Sequence, residues 1–371
     1  MVKSIRIITG CTLILWLSHG VILKSQILKD TASFRIVERG VNSLYNMQFD
    51  EAEEQFNRIK SKYPDHPVNL LLKSMVSYWK NIPLMPGSSS SASFENDLRT
   101  CIDLCENKKP ADEAEYLLTD LCARGILLLY FSDNGLHKDV MPLAKNTYKY
   151  LRRSFDFTHT YSDFYFFTGL YNYYREVYPD FHPIYKTFMF IFPKGDREKG
   201  LKELQTAAEK ALLLKAEATT FLTYIYQNYE KDIPGSTYYS RILHENFPLN
   251  MQFLVLFTKS LLLERKYDMA EVMIKEGLLN PGNQYFRAVF TICNGILYEK
   301  KYKDYSSSEK FYFQGIRDIE SYGDFGNDFE AYAFFGLSRL SSYKKDEKSQ
   351  KNYRKKATDL IDDKTDIFAG K

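Results

Sequence analysis

The sequence predicts an all-α chain, a right-handed α-solenoid of stacked antiparallel helix pairs, and three observations carry that expectation. Gly40, Ala52, Phe56 and Pro64 stand 12, 4 and 8 residues apart, a spacing at which small residues let two helices close and a proline ends the second. The same signals return from Tyr161 onward, with units starting near residues 216, 251, 288 and 329. Strand alternation is sustained nowhere, whereas apolar residues recur at helical period. One such helix pair cannot bury its apolar face alone, so copies stack, and the stack presents a curved surface in place of an enclosed pocket.

At the N-terminus Lys3 and Arg6 precede an apolar run from Ile7 to Leu23, the pattern of a segment that directs export. Residues 1–25 are expected to be an export signal or else an anchor, because a run of 17 residues, broken by small or weakly polar residues and His19, lies at the short limit for spanning a bilayer. Residues 26–80 hold the first unit and a following helix. Its first helix ends near Tyr45-Asn46, Asp50 caps the second, and a third covers Val68–Trp79. Residues 81–94, with Pro83, Pro86, Gly87 and the run Ser88 to Ser91, read as a flexible insertion. Helices resume over 95–157. A degenerate array runs from 158 to 361, interrupted by an aromatic segment at 179–194, and 362–371 form a tail. Gly169, Gly200, Ala270, Gly295 and Gly336 take small close-contact positions in the array, Gly295 beside Phe311. Lys344 to Lys371 carries nine Lys or Arg against six Asp or Glu and reads as a solvated last helix.

The unit spacing is that of the tetratricopeptide repeat. The stretch Tyr165 to Leu204, with Pro183-Ile184-Tyr185-Lys186 and Gly195-Asp196-Arg197-Glu198-Lys199-Gly200-Leu201, resembles the eukaryotic inclusion-body-clearance tetratricopeptide family and its bacterial relatives. In that turn Gly195 permits a reversal, Asp196 caps the next helix and Gly200 admits its neighbour. The resemblance implies the architecture and the lack of a catalytic site. The export signal and the shorter N-terminal half depart from the eukaryotic members, so their cellular role is not carried over.

Composition excludes little else. Hydrophobic residues at 44% can build a core, and a net charge of +3 leaves no electrostatic footprint for nucleic acid. Cys101, Cys105 and Cys122 fall close together on predicted helices, where core packing, a disulfide, or a metal or redox site are the alternatives. No histidine accompanies them at ligand spacing. Ser307-Ser308-Glu309-Lys310 and Ser341-Ser342-Tyr343-Lys344 match a Ser-x-x-Lys spacing without the companion motifs of that enzyme class. No catalytic residue, cofactor or small-molecule substrate is expected.

Between Phe155 and Phe192, 16 of 38 residues are Phe or Tyr, enough to thicken a core, line a groove or touch lipid. Groove residues of a stacked pair come from its first helix. That selects Asp163, Phe166, Leu170, Tyr173 and Tyr174 in one unit and Gln252, Val255, Lys259, Leu262 and Leu263 in another. The expected function is a non-catalytic exported scaffold in the periplasm or at the periplasmic face of a bacterial envelope membrane, holding a protein or peptide in that groove. On this reading alanine at Tyr173 and Tyr174 weakens a partner and barely changes melting. A membrane-tethered assembly factor touching lipid through Ile184–Phe192 is the alternative.

Overall fold

The computed structural model describes residues 26–107, 113–181, 192–280, 282–361 and 364–369. Residues 1–25, the expected export signal or anchor, and residues 182–191 of the expected aromatic insertion lie outside them. Among the described residues the chain is all-α, without a strand. The helices pair in chain order: α1 (Thr31–Tyr45) with α2 (Phe49–Lys62), α3 (Val68–Lys80) with α4 (Ser89–Asn107), α5 (Glu113–Asp133) with α6 (His137–Ser154), and α7 (Phe164–Phe181) with α8 (Arg197–Lys210). Four further pairs follow: α9 (Lys215–Asn228) with α10 (Ile233–Asn246), α11 (Met251–Leu263) with α12 (Tyr267–Leu279), α13 (Gln284–Leu297) with α14 (Tyr305–Ile319), and α15 (Asn327–Tyr343) with α16 (Glu347–Leu360). Each second helix also packs on the first helix of the next pair, so the layers are continuous.

A repeated backbone device makes the pairs alike. Met47, Lys231, Arg265, Lys303 and Lys345 adopt left-handed φ of 55–62°, as does Gly135 at 64°. In every case the second helix begins two residues later. The N–H groups of Gln48, Leu136, Lys266 and Asp346 each bond the carbonyl five residues back, at 2.8–3.0 Å, which satisfies a carbonyl the ending helix would leave open. Asp232, Asp304 and Asp346 then cap the incoming helix by accepting from the N–H three residues on, at 3.0 Å. Five side-chain-bearing residues in this region each cost roughly 1–2 kcal/mol, so the turn is held by its closing bonds and by the packing of the pair.

Helix contacts put Gly169, Gly200, Gly295 and Gly336 at close approaches and revise one expected partner. A Cβ at residue 200 would lie 2.5 Å from the Tyr173 backbone nitrogen, so α7 and α8 meet backbone to backbone where Gly169 and Gly200 face each other. Gly295 and Gly336 both accommodate the ring of Tyr312, which is fully buried; the expected partner Phe311 lies against Tyr298 instead. Asp196 caps α8 as expected, accepting from Lys199 N at 2.9 Å. Gly195 is required for close approach and not for a left-handed turn: a Cβ there would stand 2.4 Å from the Asn172 carbonyl oxygen. Asp50 is not a cap, because α2 already starts at Phe49. The serine run is no flexible insertion either. Ser88 caps α4, its Oγ accepting from Ser91 N at 3.0 Å, and the other serines form the first turn.

The chain also closes on itself. The ends of α1, α3 and α5 lie against the beginnings of α9, α11, α13 and α15. Tyr45 donates its hydroxyl to Glu217 and to the Leu213 carbonyl, and its own carbonyl accepts from Asn250 Nδ2 at 2.8 Å. Trp79 packs edge-on to Tyr45 and Phe253 at 5.5 and 5.6 Å. Asn283 Nδ2 donates to the Ile82 carbonyl at 2.6 Å, and Gly135 abuts Asp324. α5, α13 and α15 accordingly bury residues around their whole circumference, while α11 keeps one half-buried stripe through Gln252, Leu256, Lys259 and Leu263.

Candidate interaction surface

Packing between layers decides which sequence-selected groove residues are open. Asp163 is 3% exposed, and its carboxylate accepts from the N–H groups of Leu212, Leu213 and Leu214 at 3.0, 2.7 and 3.0 Å. It ties down the turn before α9 and cannot orient a partner. Burial raises its pKa against the pull of those three donors. Phe166 is buried edge-on to Phe167 and Phe221. Tyr173 has no exposed surface and donates to Glu230 Oε1 at 2.6 Å. Val255 and Leu262 are buried, while Gln252 and Leu263 are half-buried. Lys259 is half-buried with its ammonium 5.3 Å from the Tyr332 ring centre; burial lowers its pKa and Asp328 opposes that. The groove reading is therefore corrected at Asp163, Phe166, Tyr173, Val255 and Leu262: these side chains hold layers together. The reason is tertiary: the next layer covers the positions before and on α7, with Asp163 under the turn before α9, Phe166 against Phe221 and Tyr173 against Tyr229.

Leu170 and Tyr174 remain half-buried, and Tyr174 leads to a surface the sequence only hinted at. At the C-terminal ends of α7 and α9, Tyr229 receives the rings of Tyr174, Phe181 and Tyr224 at 5.4, 4.8 and 5.9 Å, with Tyr178 beyond Tyr174. Phe181 is 46% and Tyr224 49% exposed, so this aromatic cluster opens to solvent. The Lys231 ammonium lies 5.9 Å from the Phe181 ring centre. Beside it is a cleft of about 500 Å³ lined by Val177, Phe181, Asp196, Arg197, Tyr229 and Glu230. Against the cost of burial, bonds from Arg197 and Tyr173 hold the Glu230 carboxyl below its ordinary range. Tyr224 is the ninth residue from the unit start at 216, the register position that selected Leu170 and Lys259; extending that register to α9 finds it.

No protein-family model matches this chain, and no curated protein matches it significantly. Its chemistry must be read from its own residues. Cys101, Cys105, Cys122 and Cys293 are unbridged; three are buried, and Cys101 Sγ donates to the Pro67 carbonyl at 3.3 Å. Among the described residues no three His, Cys, Asp or Glu side chains converge as metal ligands, and no helix is long and apolar enough to cross a membrane.

The seam between the N-terminal helices and the array carries two tyrosine–carboxyl pairs, Tyr45 with Glu217 and Tyr78 with Asp133 at 3.2 Å. Burial pushes both carboxyls up to about 7, helped by Asp163 near Glu217 and Asp328 near Asp133. The fold then holds protons that the unfolded chain releases near pH 4, so this contribution to stability falls as pH rises from about 4 to about 7. Urea midpoints at pH 4.5 and 7.5 should show this loss as the difference between the native chain and a Glu217→Gln/Asp133→Asn variant, whose profile is flatter. Parallel profiles would mean that the pairs are solvated.

Proposed function

We propose that this chain is a non-catalytic helical-repeat scaffold that binds a protein partner, exported to the periplasm or the periplasmic face of an envelope membrane. The observation that supports binding is the solvent-open aromatic cluster of Tyr174, Tyr178, Phe181, Tyr224 and Tyr229. Tyrosine and phenylalanine give large contact area with little side-chain entropy to lose, and such clusters dominate binding energy where they are desolvated. The ion pair of Arg197 with Glu230 borders the cluster and supplies a polar rim. Export rests on the Lys3, Arg6 and Ile7–Leu23 pattern.

Crosslinking and affinity capture from envelope fractions test the reading, with the recovered chain weighed by mass spectrometry. A reproducible partner should be lost in a Phe181→Ser/Tyr224→Ser variant whose melting temperature is unchanged. A partner kept by that variant would move the binding surface elsewhere. An intact N-terminus sedimenting with membranes, and no partner, would turn the reading to a tethered factor in contact with lipid.

A further inference from the structure

The C-terminal tail is seated in a charged, largely buried site. After α16 the chain returns to α15, where Asp366 accepts from Arg339 Nη1 at 2.7 and 2.6 Å. Two residues on, Phe368 is 5% exposed and sets its ring edge-on to Tyr332 at 5.4 Å. The other edge of Arg339 bonds both oxygens of Glu299 at 2.7 and 2.8 Å, and Lys300 pairs with Glu299 at 3.1 Å. Side-chain exposures of 10% for Arg339, 1% for Glu299 and 15% for Lys300 put these charges largely out of water. The last helix α16 is solvated as its charge suggested, with only Ala357 buried, whereas Asp366 and Phe368 after it are seated against α15.

The seat itself brings two cations and one anion, and the Asp366 carboxylate supplies the missing charge. An uncompensated charge in such a place is costly, and a guanidinium edge offers a carboxylate oriented donors. We infer that this seat is a receptor for segments with Asp or Glu two residues before an aromatic, that the tail is its resident occupant, and that a partner segment of the same chemistry displaces it. The inference deepens the scaffold reading, on which it rests for the partner.

The test uses a fluorescein-labelled peptide of residues 364–371 and the full chain, native or carrying Asp366→Ala/Phe368→Ala. Arg339 keeps Glu299 in that variant, so its fold is retained, which a melting curve checks. The peptide should bind the variant and bind the native chain at least about tenfold more weakly, because a tethered tail competes at roughly millimolar effective concentration. Peptides carrying Asp366→Asn or Phe368→Ala should lose binding. No binding to the folded variant, or equal binding to both chains, overturns the inference. Should the double variant unfold, Phe368→Ala alone gives the same comparison. Since only the tail's own sequence is used, failure here leaves the aromatic cluster's partner untouched, and absence of that partner leaves this result standing.

Discussion

Replacing Arg339 by alanine is expected to destabilise the fold by about 3–5 kcal/mol, the scale of removing one member of a buried ion pair. Arg339 bonds both oxygens of Glu299 and both of Asp366, and Tyr312 donates its hydroxyl to Glu299 at 2.7 Å. Without the guanidinium two carboxylates stay in a place with little water, and Lys300 alone remains to face them. Most of the loss is this stranded charge and not the strength of the bonds removed. Arg339→Met, which keeps the stem's packing, should therefore rescue little. Restoring neutrality with Arg339→Met and Asp366→Asn together, which leaves Glu299 paired with Lys300, should recover much of the stability. Urea unfolding checks this through the midpoint at constant slope. A loss below about 1 kcal/mol for Arg339→Ala would mean that water reaches the cluster.

Tyr173→Ala should cost about 3–5 kcal/mol, as for other aromatic side chains removed from a core. The ring lies in the layer between α7 and α9, edge-on to Tyr174 at 5.4 Å and 6.2 Å from Tyr229. Its backbone is pressed against Gly200, so the helices cannot readily collapse into the cavity. Tyr173→Phe, which removes only the bond to Glu230, should cost about 0.5–1.5 kcal/mol, because Arg197 still holds that carboxylate. This reverses the expectation that alanine at Tyr173 leaves melting unchanged. Tyr174, half-buried at the edge of the open cluster, should show the smaller loss. Equal melting curves for Tyr173→Ala and the native chain would return Tyr173 to the surface.

The contrast between these neighbouring tyrosines shows why the site was only partly legible. Helix existence and pairing could be read, because small residues, caps and apolar period act within one unit: Gly169, Gly200 and Asp196 do in the fold what their spacing implied. The repeated turn could have been read more closely, since Lys231-Asp232, Lys303-Asp304 and Lys345-Asp346 mark it in the sequence. Asp50 and the serine run differ from expectation for a local reason. Ser, Asp and Asn serve caps and loops alike, and only the hydrogen bonds distinguish them.

Which side of a first helix meets water is a different kind of question. Asp163 and Lys259 stand at groove positions of the repeat, and neither residue announces that one ties down a turn and the other lies over Tyr332. The amino-acid order dictated helices, their pairing and their stacking, all set by contacts within or between adjacent units. The tertiary structure alone decided that α1, α3 and α5 cover the inward ends of the array, that the tail neutralises Arg339, and that the aromatic cluster around Tyr229 stays open. Those outcomes depend on contacts between residues up to 205 positions apart, such as Tyr45 with Asn250, for which periodicity carries no signal.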